Sequence, residues 1–113
     1  MNIEKKTENG ICQIFLEGRF DANTANLVEQ AFKEQIQGGE KHFILDLENV
    51  PFIASAGLRV ILVIAKQLRS QQNGDLRISN LQPNVKKVFE ISGLNNVLKI
   101  FDDHAAAMAS YSQ

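Results

Sequence analysis

The sequence FILDLENVPFIASAGL, residues 43–58, joins an apolar run to a turn and then to the start of a second apolar segment. Residues 42–47 are largely apolar, which is typical of a central parallel strand that is buried on both faces. Pro51 cannot donate a hydrogen bond to a neighbouring strand, so we expect the strand to end before it. A helix is predicted to begin at Ser55 and to end near Gln72.

A hairpin is predicted on the amino-terminal side of this stretch. Asn9-Gly10 is a strong two-residue turn signal between residues 3–7 and residues 11–16, which are predicted as strands. Asp21 follows the second strand, and its carboxylate can accept a hydrogen bond from an unpaired amide of a first helical turn. We therefore expect Asp21 to cap a helix over residues 22–37.

The carboxyl-terminal part continues the alternation of strands and helices. We expect a strand over residues 75–79, a helix from Pro83 to Gly93, a strand over residues 96–101, and a last helix capped by Asp102 or Asp103. This order is typical of the α/β class. The sequence thus predicts a mixed central β-sheet of about five strands, with about four helices that cover at least one face.

The composition restricts the function. The chain has 113 residues, of which 44% are hydrophobic, and this predicts a single domain over residues 1–113. A formal charge of −1 argues against nucleic acid as a partner. The longest apolar run, residues 60–65, is far shorter than the about 20 residues that cross a bilayer, so we expect a cytoplasmic protein without a membrane partner. One cysteine and two histidines leave no basis for a disulfide, a metal site or a cofactor.

Ser55 admits two explanations. As the predicted first residue or cap of a helix, its hydroxyl can bond an unpaired amide and have no further role. Alternatively it accepts a phosphate, because a helix amino terminus stabilises negative charge. Ala56 and Gly57 keep the neighbourhood small, so another molecule can approach closely. Asp21, if it lies nearby, would oppose the phosphate by like-charge repulsion.

The helix that begins at Ser55 is apolar over an unusual width. An ordinary core stripe is widened by three further apolar residues: Val60, Val63 and Ile64. Such a helix is either deeply buried or presents a surface to a partner, and both alternatives stay open. Arg59 on its polar side is either a solvated cation or a contact for an acidic partner or a phosphate.

An enzymatic use of Ser55 as a nucleophile requires a base within hydrogen-bond reach. His42 begins a strand whose far end leads toward the Ser55 loop, so we expect it at the opposite edge of the sheet, and His104 lies on the terminal helix. We expect both histidines to be surface residues and Cys12 to be a buried strand residue. No catalytic residue is therefore predicted, and we expect a protein that is not an enzyme.

Four segments of the chain together resemble the STAS domain (sulfate transporter and anti-sigma factor antagonist), specifically the stand-alone bacterial anti-sigma factor antagonists. The segments are Leu16–Asp21, Phe43–Leu47, Phe52–Leu58 and Val85–Leu94. They cover nearly the whole chain in the family's order. The resemblance implies a STAS-like fold.

The resemblance also implies a function. In that family the unphosphorylated protein binds an anti-sigma factor and so releases a sigma factor. The anti-sigma factor is also a serine kinase of the histidine-kinase-like ATPase type, and a serine/threonine phosphatase reverses its action. Carried onto this chain, the phosphorylated residue is Ser55. The residues expected to bind the partner are Asp21, Ala54, Ala56, Gly57, Leu58 and Arg59. The protein is expected to be a monomer or a weak dimer.

Two positions depart from the family pattern. Ala54 stands where the family has an aspartate, and its methyl group neither accepts a hydrogen bond nor carries charge. Arg59 stands where small residues are usual. Ala54 keeps open an alternative in which the chain is a STAS scaffold or interaction module without phosphorylation.

Overall fold

The computed structural model describes residues 1–112 and contains one mixed five-stranded sheet. The strands are β1 (Asn2–Glu8), β2 (Ile11–Glu17), β3 (His42–Asn49), β4 (Asp75–Ser79) and β5 (Lys99–Phe101). The helices are α1 (Ala25–Gln37), α2 (Ser55–Gln71), α3 (Pro83–Ile91) and α4 (His104–Ser110), with a 3₁₀ turn at Leu94–Asn96. The strands follow chain order across the sheet, and only the β1–β2 hairpin is antiparallel within the described residues. The predicted fold class is confirmed.

The start of α1 differs from the prediction. The helix begins at Ala25, and the Asp21 carboxylate accepts a hydrogen bond from the amide of Asn23 at 3.0 Å within the preceding turn. Thr24 occupies the cap position and makes no side-chain cap bond. The prediction that Asp21 caps α1 is therefore wrong, because a short carboxylate serves a turn as readily as a helix end.

The last two elements also refine the prediction. Strand β5 begins at Lys99 and not at Asn96, because Asn96 belongs to the preceding 3₁₀ turn. Helix α4 is capped as expected: Asp103 accepts a hydrogen bond from the amide of Ala106 at 2.7 Å.

Helices α1, α2 and α3 cover one face of the sheet and enclose the main core. Alternate residues of β3 point into this core, among them Phe43 and Leu45, both fully buried. In α2 the side chains of Val60 and Ile64 are 1% and 0% exposed, whereas Leu62 is 40% exposed. The breadth of the apolar surface of α2 is thus mostly explained by burial.

The opposite face is covered by α4, and His104 is the residue that anchors this helix. Its Nδ1 lies 3.1 Å from Oδ2 of Asp46, and its Nε2 lies 2.7 Å from Oε1 of Gln13. Asp46 also accepts a hydrogen bond from the buried hydroxyl of Ser79 at 3.0 Å. The expectation that His104 is a surface residue is wrong, because these partners hold the imidazole against the sheet.

The other two singled-out side chains are also partly or fully covered. His42 is half-buried, with its ring centroid 5.3 Å from that of Tyr111. Cys12 is fully buried as expected, and burial raises the pKa of its thiol. Across residues 1–112, none of the helices combines the length and the apolar character that a membrane-spanning segment needs.

Candidate functional site

Two loops at the carboxyl end of β2 and β3 run side by side and form the candidate site. The amide of Phe20 donates to the carbonyl of Phe52, and the amide of Ala54 donates to the carbonyl of Phe20, each at 3.0 Å. Phe20 and Ile53 form an isolated parallel bridge. This pairing places Asp21 and Ser55, which are predicted site residues, on adjacent segments.

Ser55 is the first residue of α2, and its side chain is exposed. The cap position belongs to Ala54, whose carbonyl accepts hydrogen bonds from the amides of Gly57 and Leu58. The Ser55 hydroxyl makes no hydrogen bond to another group within the described residues. The explanation of Ser55 as a mere cap is therefore wrong, because Ala54 precedes it in the extended conformation that a cap requires.

Gly57 is buried and leaves no space for a partner. A Cβ atom at this position would lie 2.8 Å from the carbonyl oxygen of Phe20 and 2.9 Å from Cγ1 of Ile53. The expectation that Gly57 admits a second molecule needs correction, since the space beside it is filled by the chain itself. Its lack of a side chain instead allows α2 to begin close to the neighbouring loop.

Asp21 is held by its own turn. Its amide donates to the Thr24 hydroxyl at 3.0 Å, and that hydroxyl donates to the carbonyl of Arg19 at 2.8 Å. One carboxylate oxygen accepts from Asn23, and the other lies 3.4 Å from Nε of Arg19. The carboxylate is thus fixed in place but remains near the surface.

Two residues of the candidate site, Arg19 and Phe52, were not predicted from the sequence. Arg19 places its guanidinium carbon 4.1 Å from the ring centroid of Phe52, a cation–π contact, while it also pairs with Asp21. Phe52 remains 39% exposed. Both lie in segments that resemble the family motifs, but their contact depends on loop pairing that no local pattern records.

The remaining predicted partner residues differ in their exposure. Ala56 and Leu58 are half-buried and pack against the main core. Ala54 is partly exposed, and Arg59 is exposed and forms no ion pair with the residues that the structure describes. The accessible part of the site therefore consists of Ser55 and Arg59 on α2, together with the exposed groups of the neighbouring loops.

The geometry does not favour hydrolase chemistry. Within residues 1–112, neither histidine hydrogen-bonds to Ser55. His104 does approach Ser79 and Asp46, but both lie on the same ring nitrogen, whereas a nucleophile and its orienting acid use opposite nitrogens. Ser79 is also fully buried. Among these residues no group of three or more metal-ligating side chains occurs.

The family model for the STAS domain matches residues 2–107 of the chain. The chain belongs to the STAS domain family. This STAS chain is 38% identical over 103 residues to BtrV of Bordetella bronchiseptica, a match that covers 91% of the chain and 88% of BtrV. It is 31% identical over 109 residues to the anti-sigma F factor antagonist of Paenibacillus polymyxa, covering 96% and 92% of the two chains.

Solved structures share the STAS architecture. The Thermotoga maritima protein TM1081 superposes with a TM-score of 0.93 at 23% identity, over 98% of this chain and 95% of that one. The Bacillus protein SpoIIAA in its phosphorylated form superposes with a TM-score of 0.73 at 21% identity, over 96% of this chain and 99% of SpoIIAA. An unphosphorylated form of SpoIIAA superposes with a TM-score of 0.75 at 18% identity, over 98% and 97% of the two chains.

Proposed function

We propose that this STAS chain is an anti-sigma factor antagonist whose binding surface surrounds Ser55, and that phosphorylation of Ser55 switches the binding off. One observation carries the proposal: Ser55 opens α2 with an exposed hydroxyl that no group within residues 1–112 engages. The names of the relatives support the antagonist function. The two forms of SpoIIAA support a switch by phosphorylation in a protein of the same fold.

The electrostatics of α2 suit a phosphate at this position. The first turn of the helix contains no acidic residue, and its amino terminus carries the positive end of the helix dipole. A phosphoserine adds about −1.5 to −2 charges at neutral pH. The fold therefore tolerates the group, while the surface that a partner meets becomes more negative by that charge.

The partner that fits this proposal is an anti-sigma factor that is also a serine kinase of the histidine-kinase-like ATPase type. It would transfer the γ-phosphoryl group of ATP to the Ser55 oxygen, releasing ADP and a proton. A serine/threonine phosphatase would restore the hydroxyl by hydrolysis. The chain itself would act as a regulatory binding protein in the cytoplasm, and Asp21, Ala54 and Arg59 would contribute to the contact.

The proposal is tested with a purified anti-sigma factor kinase of this type. We expect one phosphate on Ser55 by mass spectrometry with ATP, none in Ser55→Ala, and at least about tenfold weaker binding of Ser55→Asp by calorimetry. Ser70→Asp is the matched control, since Ser70 lies exposed on the same helix and donates to the carbonyl of Lys66. Phosphate at another residue, or equal affinity of Ser55→Asp and wild type, would contradict the proposal.

A second function is favoured by Ala54 specifically. Without a carboxylate before Ser55, the chain is also suited to be a STAS scaffold that binds its partner without modification. In the same experiment this alternative predicts partner binding that is retained after incubation with kinase and ATP, with no phosphate on Ser55.

A further inference from the structure

Arg19 is held only loosely in the candidate site. Its side chain is 62% exposed, its Nε lies 3.4 Å from Asp21, and its guanidinium carbon lies 4.1 Å from the centroid of the Phe52 ring. Exposed ion pairs and exposed cation–π contacts are both weak interactions. The guanidinium can therefore leave Asp21 when a stronger anion comes within reach.

Ser55 lies within reach of this side chain. The carbonyl of Phe20, the residue after Arg19, accepts a hydrogen bond from the amide of Ala54, the residue before Ser55. Phe20 lies opposite Ile53, paired strands lie about 4.8 Å apart and consecutive Cα atoms about 3.8 Å apart, so the Arg19 and Ser55 Cα atoms are at most about 16 Å apart. The Arg19 side chain already crosses part of this distance, because its Nε lies 3.4 Å from Asp21, the residue that follows Phe20 in the direction of Ser55. The Arg19 side chain also already lies over the loop that leads to Ser55, since it covers Phe52.

We propose that Arg19 is a phosphate clamp: phosphorylation of Ser55 draws its guanidinium from Asp21 to the phosphate. The inference rests on the proposed phosphorylation of Ser55. A phosphate dianion binds a guanidinium through two parallel hydrogen bonds, which a single contact of 3.4 Å to a carboxylate does not match. The helix dipole stabilises the phosphate at the start of α2.

The clamp extends the effect of one phosphate over the whole site. When the guanidinium leaves, Asp21 loses its cation and the face of the Phe52 ring is uncovered. An anti-sigma factor then meets three changes: a phosphate at Ser55, an uncompensated carboxylate at Asp21 and an altered apolar surface. The two states of the binding surface therefore differ by more than the phosphate alone, in a chain that has Ala54 next to the modified serine.

The test uses the full chain with phosphoserine installed at position 55 during translation, so that no kinase is required. Phosphorus NMR follows the second ionisation of the phosphate with pH. We expect Arg19→Gln to raise its midpoint by about 0.5 pH unit, because a bound cation favours the dianion. The matched control is Lys66→Gln, which removes an exposed cation from α2 about three turns after Ser55, and we expect no shift.

Arg59 provides the decisive comparison, since it lies four residues after Ser55 on the same helix face. A midpoint that is unchanged in Arg19→Gln, or that responds only to Arg59→Gln, would overturn the clamp. If the kinase leaves Ser55 unmodified, the proposed function fails, while the phosphorus titration still reports on Arg19. If the kinase modifies Ser55 and the titration does not respond to Arg19, only the clamp fails.

Discussion

Gly57 packs so tightly against Phe20 that a Cβ atom would lie 2.8 Å from the Phe20 carbonyl oxygen. The same carbonyl accepts the hydrogen bond from Ala54 that joins the two loops of the site. The position of Ser55 is therefore determined by a contact between α2 and the loop after β2, and not by α2 alone.

Replacing Gly57 by alanine should destabilise the protein by about 1–3 kcal/mol, because the added methyl group must displace backbone atoms of Phe20. Urea unfolding measures the change. Ser55→Ala is the control, since it alters an exposed neighbour and should leave the free energy of unfolding within about 0.5 kcal/mol. Equal stability of Gly57→Ala and wild type would show that the loop at Phe20 moves to accommodate the added methyl group without cost.

Aspartate at position 54 should stabilise the protein. Ala54 has the extended backbone of a helix cap without a capping side chain, so Ala54→Asp should add about 0.5–1 kcal/mol at neutral pH. Ala54→Asn supplies a similar cap without charge. We expect both variants to be more stable than wild type in urea, but only Ala54→Asp to be phosphorylated faster by the kinase. Equal rates for the two variants would show that the kinase does not require charge at this position.

The stability contributed by Asp75 should disappear in acid. Burial raises the pKa of this carboxyl, but hydrogen bonds from Arg69 and Arg77 outweigh burial and lower the pKa below the ordinary value of 3.8. A carboxylate with a lowered folded pKa stabilises the fold above its unfolded pKa, and this is lost as the pH falls through the folded value.

Asp75→Asn should therefore cost about 1–3 kcal/mol at pH 7, and the difference from wild type should shrink steadily below pH 3.8. Thermal unfolding at several pH values gives the comparison. Asp102→Asn serves as the control, because Asp102 is 97% exposed and lies 3.9 Å from its lysine partner. A destabilisation by Asp75→Asn that persists unchanged in acid would show that packing, and not charge, is responsible.

Removing the imidazole of His104 should loosen α4 before the rest of the fold. His104→Ala leaves Asp46 and Gln13 each without one partner, and we expect a loss of about 1–3 kcal/mol. Hydrogen exchange should accelerate most for amides of α4. His42→Ala, which removes a half-buried imidazole that packs on Tyr111, should accelerate those amides less. Uniform acceleration across the sheet would contradict an anchoring role.

Apolar runs and turn residues were sufficient to place the five strands, although β5 begins three residues later than expected. Strand β4 begins and ends where expected, and β3 extends only two residues beyond its prediction, because burial on both faces leaves a continuous apolar run. The role of His104 could not be predicted, since its partner Asp46 lies 58 residues away and neither residue belongs to a local motif. Asp21 was predicted as a helix cap but bonds within its own turn, because an aspartate before a helix satisfies a turn and a cap by the same kind of hydrogen bond.

Helix α2 is tied to its surroundings at both ends. Gly57 seats its first turn on Phe20, while Arg69 in its last turn bonds Asp75 at 2.8 Å and the carbonyl of Val97 at 2.9 Å. Because both ends of α2 are held in place, phosphorylation of Ser55 should not shift the helix. We expect the backbones of the phosphorylated and unphosphorylated states to coincide. A partner must therefore bind the site around Ser55 to detect the phosphate, and each copy of the chain can report its state to one bound partner at a time.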